Sequence, residues 1–595
     1  MGELLKLFLN ELWRIAVQPV MEQLDWLDGI FLAVLTLAAF GWWNYWPLDC
    51  SAAEKNLWGA LVPLTAIVWF VVRLGTRKVK PSILIRPLAP RASTSSLNRW
   101  RPILLKVTVP LFIVAIWLCS AYMLYRVHRF TDGVVGIDVA CFENDPAGVY
   151  QRKVVEFLRD NIAENGLQDV VAVNALPRRI EAENVERARK LGSMSAAKFV
   201  LWGTVTGPEK VKSRMVTVDT VGTFDFQTPS GKYSGHRSDV REFYDLPIGL
   251  ETLTHNVVLF LAGYKFFHEQ QYERALFYFN KAQGELASIV QGQETGSPEK
   301  ALLASIDFYI GNVSYYQSER ELTSHGHSEL WNSHIKSAVK AYEEAIVLTS
   351  HPIETDKARF IEPLNNLGFV QILSRNPQDA IASLQRADTI CRATPSSYNE
   401  VCTIVKYNLG DAERKMGNHE EAIKLFSAAL VESNNYPRAS QAVEGRIFAG
   451  ILHQAIAFSR VKIAVKSEGA EAEDSFRKAE EELENAKQAL AGIADNPTVA
   501  LLLNYNVITR ARIQIGRGNW RDAIANLTDV QSRFNDPEIN LLLSIAYSCA
   551  HQQTQADENF AAFAEAHLLK TVDDSTWKEE KDYEAKITTQ CSNAH

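Results

Sequence analysis

Little in this sequence points to chemistry. Seven cysteines are spread over 595 residues, and Cys50, Cys119, Cys141, Cys391, Cys402, Cys549 and Cys591 match no zinc-ligand spacing. Only Cys391 and Cys402 flank a segment short enough to bring two of them together, as a disulfide or as free thiols buried in a helical core. No glycine-rich loop is followed by Lys-Ser or Lys-Thr, which excludes the usual phosphate cradle. His268-Glu269 opens a zinc-protease-like string, but Tyr272 stands where the second histidine is required. His325, His327 and His334 lie within ten residues, yet nothing beyond Glu329 completes a ligand set, so they read as a solvated loop. Asp138, Glu143 and Asp145 lie where α/β folds often bind ligands, and are expected to form a surface acidic loop. A basic excess is missing too: 62 Lys and Arg stand against 70 Asp and Glu, a net charge of −8, which argues against a nucleic-acid face. These absences predict a protein that is not an enzyme and uses no cofactor, metal or nucleic acid.

What is present begins with apolar runs. Residues 1–28 mix Leu4, Leu5, Leu7, Phe8, Leu12 and Trp13 with Glu3, Lys6, Glu11 and Arg14, the spacing of an amphipathic helix able to lie on a membrane. They lack the basic start and small-residue cleavage site of a signal peptide. Within 29–73, Ile30 to Trp46 and Leu57 to Val72 are apolar but for Thr36, Asn44 and Thr65. Their tryptophans sit near the ends, as in an interfacial aromatic belt, and the two runs predict a transmembrane hairpin joined by Pro47 to Asn56. Within 102–126, Val107 to Leu124 carries no charge and predicts a third span. The intervening loop, 74–101 with Arg73 before it, holds Arg77, Lys78, Lys80, Arg86, Arg91, Arg99 and Arg101 and no acid, which places it on the cytoplasmic side. Everything after Tyr125 then lies outside. Three helices in lipid make the membrane one expected partner, in a bacterial inner membrane as multi-pass, with the cytoplasmic placement of the soluble part as the alternative.

Residues 133–250 change character. Val134 to Cys141, Val170 to Val173, Phe199 to Thr206 and Met215 to Val221 read as strands, and Gly148 to Asn165 and Ala182 to Leu191 as helices. That order predicts a small α/β domain, with Gly222 to Leu250 as its link to the carboxy-terminal half. Gly136-Ile137-Asp138-Val139-Ala140-Cys141-Phe142-Glu143-Asn144 resembles the first strand and loop of the TolB amino-terminal domain family. Ala188-Arg189-Lys190-Leu191-Gly192 followed by Ala197-Lys198-Phe199-Val200-Leu201-Trp202-Gly203 resembles that family's later helix–strand signature. Ala140-Cys141 replaces the family's usual leucine-proline pair. The resemblance implies a small binding or structural module of bacterial envelope and regulatory proteins, without catalysis.

From 251 to 570 one pattern returns seven times, followed by a polar tail at 571–595. Gly368 is followed by Ala380, Leu384 and Ala387; Gly410 repeats the offsets with Ala422, Phe426 and Ala429, and Gly417 marks the turn. Gly263 leads Ala275, Phe279 and Ala282. Gly311 leads Ala338, Tyr342 and Ala345, and Gly450 leads Ala472, Phe476 and Ala479, each with an insertion. Gly518, Ala523 and Leu527 make a sixth copy, and Tyr547, Ala556 and Phe560 a seventh. Small residues at fixed places let two antiparallel helices approach, and no such pair buries its apolar face alone, so stacked copies share a core. The fold class expected is mainly α: a helical solenoid preceded by transmembrane helices and a small α/β domain.

The pattern resembles the tetratricopeptide repeat, whose period is about 34 residues. In that family the first helix of each pair lines a concave groove that receives a segment of another protein. The resemblance implies a groove presenting Asn312, Tyr316, Asn365, Tyr407, Asp411, Arg414, Tyr505 and Arg512. These residues do not reproduce the family's clamp for a terminal carboxylate. The expected function is a membrane-anchored adaptor binding a protein or peptide through the solenoid, also compatible with self-association. A sensor subunit of a membrane effector or pore is the alternative, and an undetected enzyme the third.

Overall fold

The computed structural model describes residues 130–218 and 443–568 with short gaps, 243–246, 250–291, 298–349, 360–393, 399–434, and scattered positions between 581 and 589. The amphipathic segment, the three expected spans and the basic loop lie outside the described residues. The chain divides into two compact units, Met1–Ser213 and Arg214–His595.

In the first unit β1 (Val135–Cys141), α1 (Val149–Glu164), β2 (Val171–Arg179), α2 (Val185–Ser195), β3 (Phe199–Gly207) and β4 (Lys210–Thr217, crossing the unit boundary) follow in turn. The strands lie in the order β2-β1-β3-β4, and β1 pairs parallel with both neighbours, Val135 opposite Val171 and Ile137 opposite Phe199. A strand covered on both faces needs an unbroken apolar run, and every residue of β1 is buried, Asp138 included. The ring of Phe130 lies over Gly136, where a Cβ would come within 2.2 Å of it. The second strand continues through Leu176 to Arg179, beyond the expected end at Val173, and β4 begins at Lys210 rather than Met215. Register shifts between Val139 and Cys141 opposite this extension. Such an irregularity leaves no mark in the apolar pattern.

The second unit, which begins within β4, next holds the short strand β5 (Phe243–Leu246) among the described residues. Seven helix pairs follow among the described residues: α3 (Leu250–His268) with α4 (Tyr272–Val290), α5 (Pro298–His325) with α6 (Glu329–Thr349), and α7 (Ile361–Leu373) with α8 (Pro377–Ala393). Next come α9 (Asn399–Lys415) with α10 (His419–Asn434), α11 (Val443–Lys466) with α12 (Gly469–Ala489), α13 (Pro497–Gly516) with α14 (Trp520–Gln531), and α15 (Pro537–Cys549) with α16 (Gln553–Leu568).

The glycine of each early pair is a seat for the large residue opposite. A Cβ at Gly263 would lie 2.6 Å from Phe279, at Gly311 2.5 Å from Tyr342, at Gly368 2.5 Å from Leu384, and at Gly410 2.7 Å from Phe426. Seven residues after the seat, five turns share one geometry. Gln270, Arg375, Gly417, Gly518 and His551 all take positive φ, between 58° and 83°. The next amide donates back to a carbonyl five residues earlier: Gln271 to Phe266, Asn376 to Gln371, Asn418 to Glu413, Asn519 to Gln514 and Gln552 to Tyr547, at 2.8–3.0 Å. This closes the carbonyls that a helix end leaves open and reverses the chain within three residues.

Three assignments of the later repeats change. A Cβ at Gly450 would meet Leu490, while Phe476 fills the space at Gly516 of the next pair, so Gly450 is not the seat for Phe476. In the sixth pair Gly518 is the turn residue, and buried Ala511 stands seven residues earlier, at the interval the seat keeps in the early pairs. In the seventh, buried Ser544 precedes the turn residue His551 by the same interval, while Tyr547 is only partly buried. The insertions expected after Gly311 and Gly450 are not loops. They lengthen the helices, α5 to 28 residues and α6 to 21, α11 to 24 and α12 to 21. Among the described residues one helical stretch, Gly445–Lys466, is long and apolar enough to cross a membrane, and 72% of its most apolar window is buried inside the protein. Cys391 and Cys402 are joined in a disulfide across Cα atoms 5.6 Å apart, tying the end of α8 to the start of α9.

Candidate functional site on the inner helices

In the α/β unit β1 has β2 on one side and β3 on the other, the switch point beside which open sheets bind ligands at the strand ends. Here the place is occupied from within. Asp145 accepts from the amides of Val149, Tyr150 and Gln151 at 2.9, 2.8 and 3.2 Å, so its carboxylate sits at the α1 N-terminus where an anion would bind. The Glu143 amide donates to Gly203 at 2.7 Å, and its carboxylate accepts from Thr204 at 2.9 Å, drawing the ends of β1 and β3 together. Asp138 is buried beside Ser195, and burial lifts its pKa to about 7 against the opposing hydrogen bond. Asp138 and Asp145 are therefore buried structural groups, not parts of a surface acidic loop: a carboxylate that caps a helix or meets a hydroxyl can leave the solvent.

The three histidines of the second repeat stand around the α5–α6 turn rather than in a long loop. His325 meets Glu321 at 3.1 Å, and His327 lies edge-on to Trp331. Among the described residues no cluster of three metal-binding side chains exists.

In the array, the first helices of successive pairs carry seven of the eight expected groove residues in buried positions: Asn312, Asn365, Tyr407, Asp411, Arg414, Tyr505 and Arg512. Asn312 accepts from Tyr342 at 2.7 Å and from Asn366 at 3.0 Å; Asn365 donates to Asn366 at 3.2 Å and accepts from Asn408 at 2.8 Å. This ladder runs through α6, α5, α7 and α9. Buried amides need such partners, and a one-residue slip between helices would break several bonds together. Tyr407 packs its ring between Phe426 and Phe448, and burial holds its hydroxyl well above the usual tyrosine range. Arg414 pairs with Asp411 at 2.6 Å and Arg512 with Glu538 at 2.9 Å. Both guanidinium groups and Lys462 flank the ring of Phe458 at 5.3, 5.6 and 5.2 Å. Tyr505 donates to Asp536 at 2.8 Å, and Asp536 in turn caps α15.

Tyr316 is different. It is partly exposed and, with Gln270, Tyr272, Glu319, Arg320 and Thr323, lines an open cavity of about 530 Å³. Tyr272 stacks on it with ring centroids 5.5 Å apart, and Phe267 packs at 5.4 Å. Glu319 is buried and accepts from the hydroxyl of Tyr315; Arg320 is exposed. Tyr272, Glu319 and Arg320 escape a reading based on repeat positions, because the cavity arises between two pairs of unequal length. The signal in the sequence is the surplus of residues after Gly311.

No family model matches the sequence, and no curated protein matches it. Among solved structures the chain is similar to the apo form of RapI at 12% identity, over 53% of this chain and 98% of that one, with a TM-score of 0.34. It is similar to aspartyl phosphate phosphatase F from Bacillus subtilis at 15% identity, over 54% and 72%, TM-score 0.35. A third similar structure is a tetratricopeptide repeat protein from Parabacteroides merdae, at 14% identity over 47% and 98%, TM-score 0.26. With TM-scores of this size, the solenoid rests on the helix pairs of the chain itself.

Proposed function

We propose that this protein is a membrane-anchored adaptor whose tetratricopeptide-like solenoid binds a segment of another protein. The observation that carries it is the run of seven helix pairs, five of them closed by one repeated turn, with recognition centred where Tyr316 opens onto the cavity. The α/β unit, with its switch point filled by Asp145 and Glu143, suits a structural or docking module of the TolB amino-terminal type. The apolar runs at 30–46, 57–72 and 107–124 would anchor the chain in a bacterial inner membrane, with lipid as the second partner. The disulfide between Cys391 and Cys402 favours an oxidising compartment, hence the extracytoplasmic side.

One observation favours the second reading, a sensor subunit of a membrane effector. Phe130 is buried over Gly136 and stands only six residues after the third apolar run ends at Leu124, a short connection in sequence between the α/β unit and that run.

Orientation is tested by single-cysteine labelling of the full-length chain in membranes, at Arg91 and at Gln293. The adaptor reading predicts that Gln293 labels from outside and Arg91 only after the membrane is opened. Labelling of Gln293 only after opening the membrane would move the array into the cytoplasm and contradict the orientation.

A further inference from the structure

The cavity at Tyr316 has a cause in helix length. In the first pair α3 ends at His268, five residues after Gly263; in the second, α5 continues to His325, fourteen residues after Gly311. The second pair therefore overtops the first by about nine residues, or roughly 13 Å at the helical rise. On this step α5 presents Tyr316, Glu319, Arg320 and Thr323, spaced i, i+3, i+4 and i+7 and hence on one face, above Gln270 and Tyr272 of the shorter pair. The side chains are not equivalent. Thr323 donates its hydroxyl to the Glu319 carbonyl at 2.9 Å, which occupies it inside the helix. Tyr272 and Tyr316 form an apolar aromatic wall, and Glu319 is a buried carboxylate fixed by Tyr315 beside it. Arg320 lies one residue on, exposed at the rim.

An aromatic wall next to a fixed carboxylate favours a cation, through ring quadrupole and charge together. The rim guanidinium repels a second cation and favours an acid there. We propose that this cavity receives a lysine or arginine side chain from a partner segment, at Glu319 and the tyrosines, with a neighbouring aspartate or glutamate of that segment meeting Arg320. This deepens the adaptor reading and rests on it. A volume of about 530 Å³ lies in the range of pockets that enclose a small ligand, roughly 300–1,000 Å³.

The probes are end-blocked, fluorescently labelled hexapeptides with a central Arg-Glu, Leu-Glu or Arg-Lys pair, titrated into the full-length chain by fluorescence anisotropy. The Arg-Glu peptide is expected to bind saturably, and Leu-Glu about tenfold or more weaker. Glu319→Gln should remove the preference for Arg over Leu. Since that change touches the Tyr315 contact, Arg320→Glu on the exposed rim provides an independent variant, expected to reverse the preference between Arg-Glu and Arg-Lys. No saturable binding, or preferences unchanged in both variants, would overturn the proposal. If the peptides fail while another polypeptide still crosslinks to the inner face, the cavity assignment alone falls; if both fail, the adaptor reading falls with it.

Discussion

Asp138 and Ser195 share one proton too few for an ionised carboxylate. The Ser195 hydroxyl lies within hydrogen-bonding distance of the Asp138 carboxyl and of the Gly192 carbonyl at 2.9 Å. Its single hydrogen can serve one of them. A protonated Asp138 donating to Ser195, with Ser195 donating to Gly192, satisfies both, in accord with a pKa lifted to about 7 by burial. The unfolded carboxyl titrates at about 3.9, so between that value and about 7 the folded state binds more protons than the unfolded one. Its contribution to stability is complete below pH 4 and is lost as pH rises to 7, a change on the order of a few kcal/mol. Asp138→Asn keeps a donor toward Ser195 and carries no charge. The variant should melt above the parent at pH 8 and level with it near pH 4, in thermal denaturation followed by circular dichroism. A variant that melts below the parent at pH 8 and level with it near pH 4 would contradict the protonated form. The same scale sets how far the site and turns could be read. Gly417 marks its turn in the sequence, but Arg375 and His551 hold the same conformation without announcing it, since glycine is favoured there and not required. The acidic trio was visible, yet the burial of Asp138 and Asp145 depended on a helix start and on a serine brought in from 57 residues away.

At the scale of the helix pair, the offsets between small and large residues carried the fold. Four pairs follow them, because a glycine seat and its facing side chain must match within tenths of an ångström. The fifth seats Leu490 rather than Phe476 at Gly450, and the sixth and seventh hid their seats. Ala511 and Ser544, each buried seven residues before its turn, are of types too common to stand out. Long insertions were ambiguous for another reason: surplus residues can extend both helices of a hairpin as readily as loop out. Ala422 gives the direct test. It is fully buried between α9 and α10, so Ala422→Arg forces volume and an unpaired charge into the seam, at a cost of several kcal/mol. Lys424→Ala, two residues on and exposed, should leave the melting temperature within about a degree or two. Equal melting of both variants would refute the register of the pair.

Over the whole array, the residues expected to form an open groove mostly bind the array to itself. The asparagine ladder and the Arg512–Glu538 pair fix successive first helices in register, Arg414 and Asp411 pair within α9, and the open cavity lies where the first two pairs differ in length. Repeat spacing could nominate the inner face but not its burial, because burial depends on how closely consecutive pairs stack. The central claim, that the inner step of the array is where another polypeptide docks, is tested most directly by photocrosslinking in cells expressing the full-length chain. A photoreactive amino acid would replace Arg320 on the inner step or, separately, Lys424 on the outer helix α10, whose side chain is 72% exposed. The account predicts a discrete covalent adduct with another polypeptide from position 320 and none from 424. No adduct from 320, or the same adducts from both positions, would contradict it.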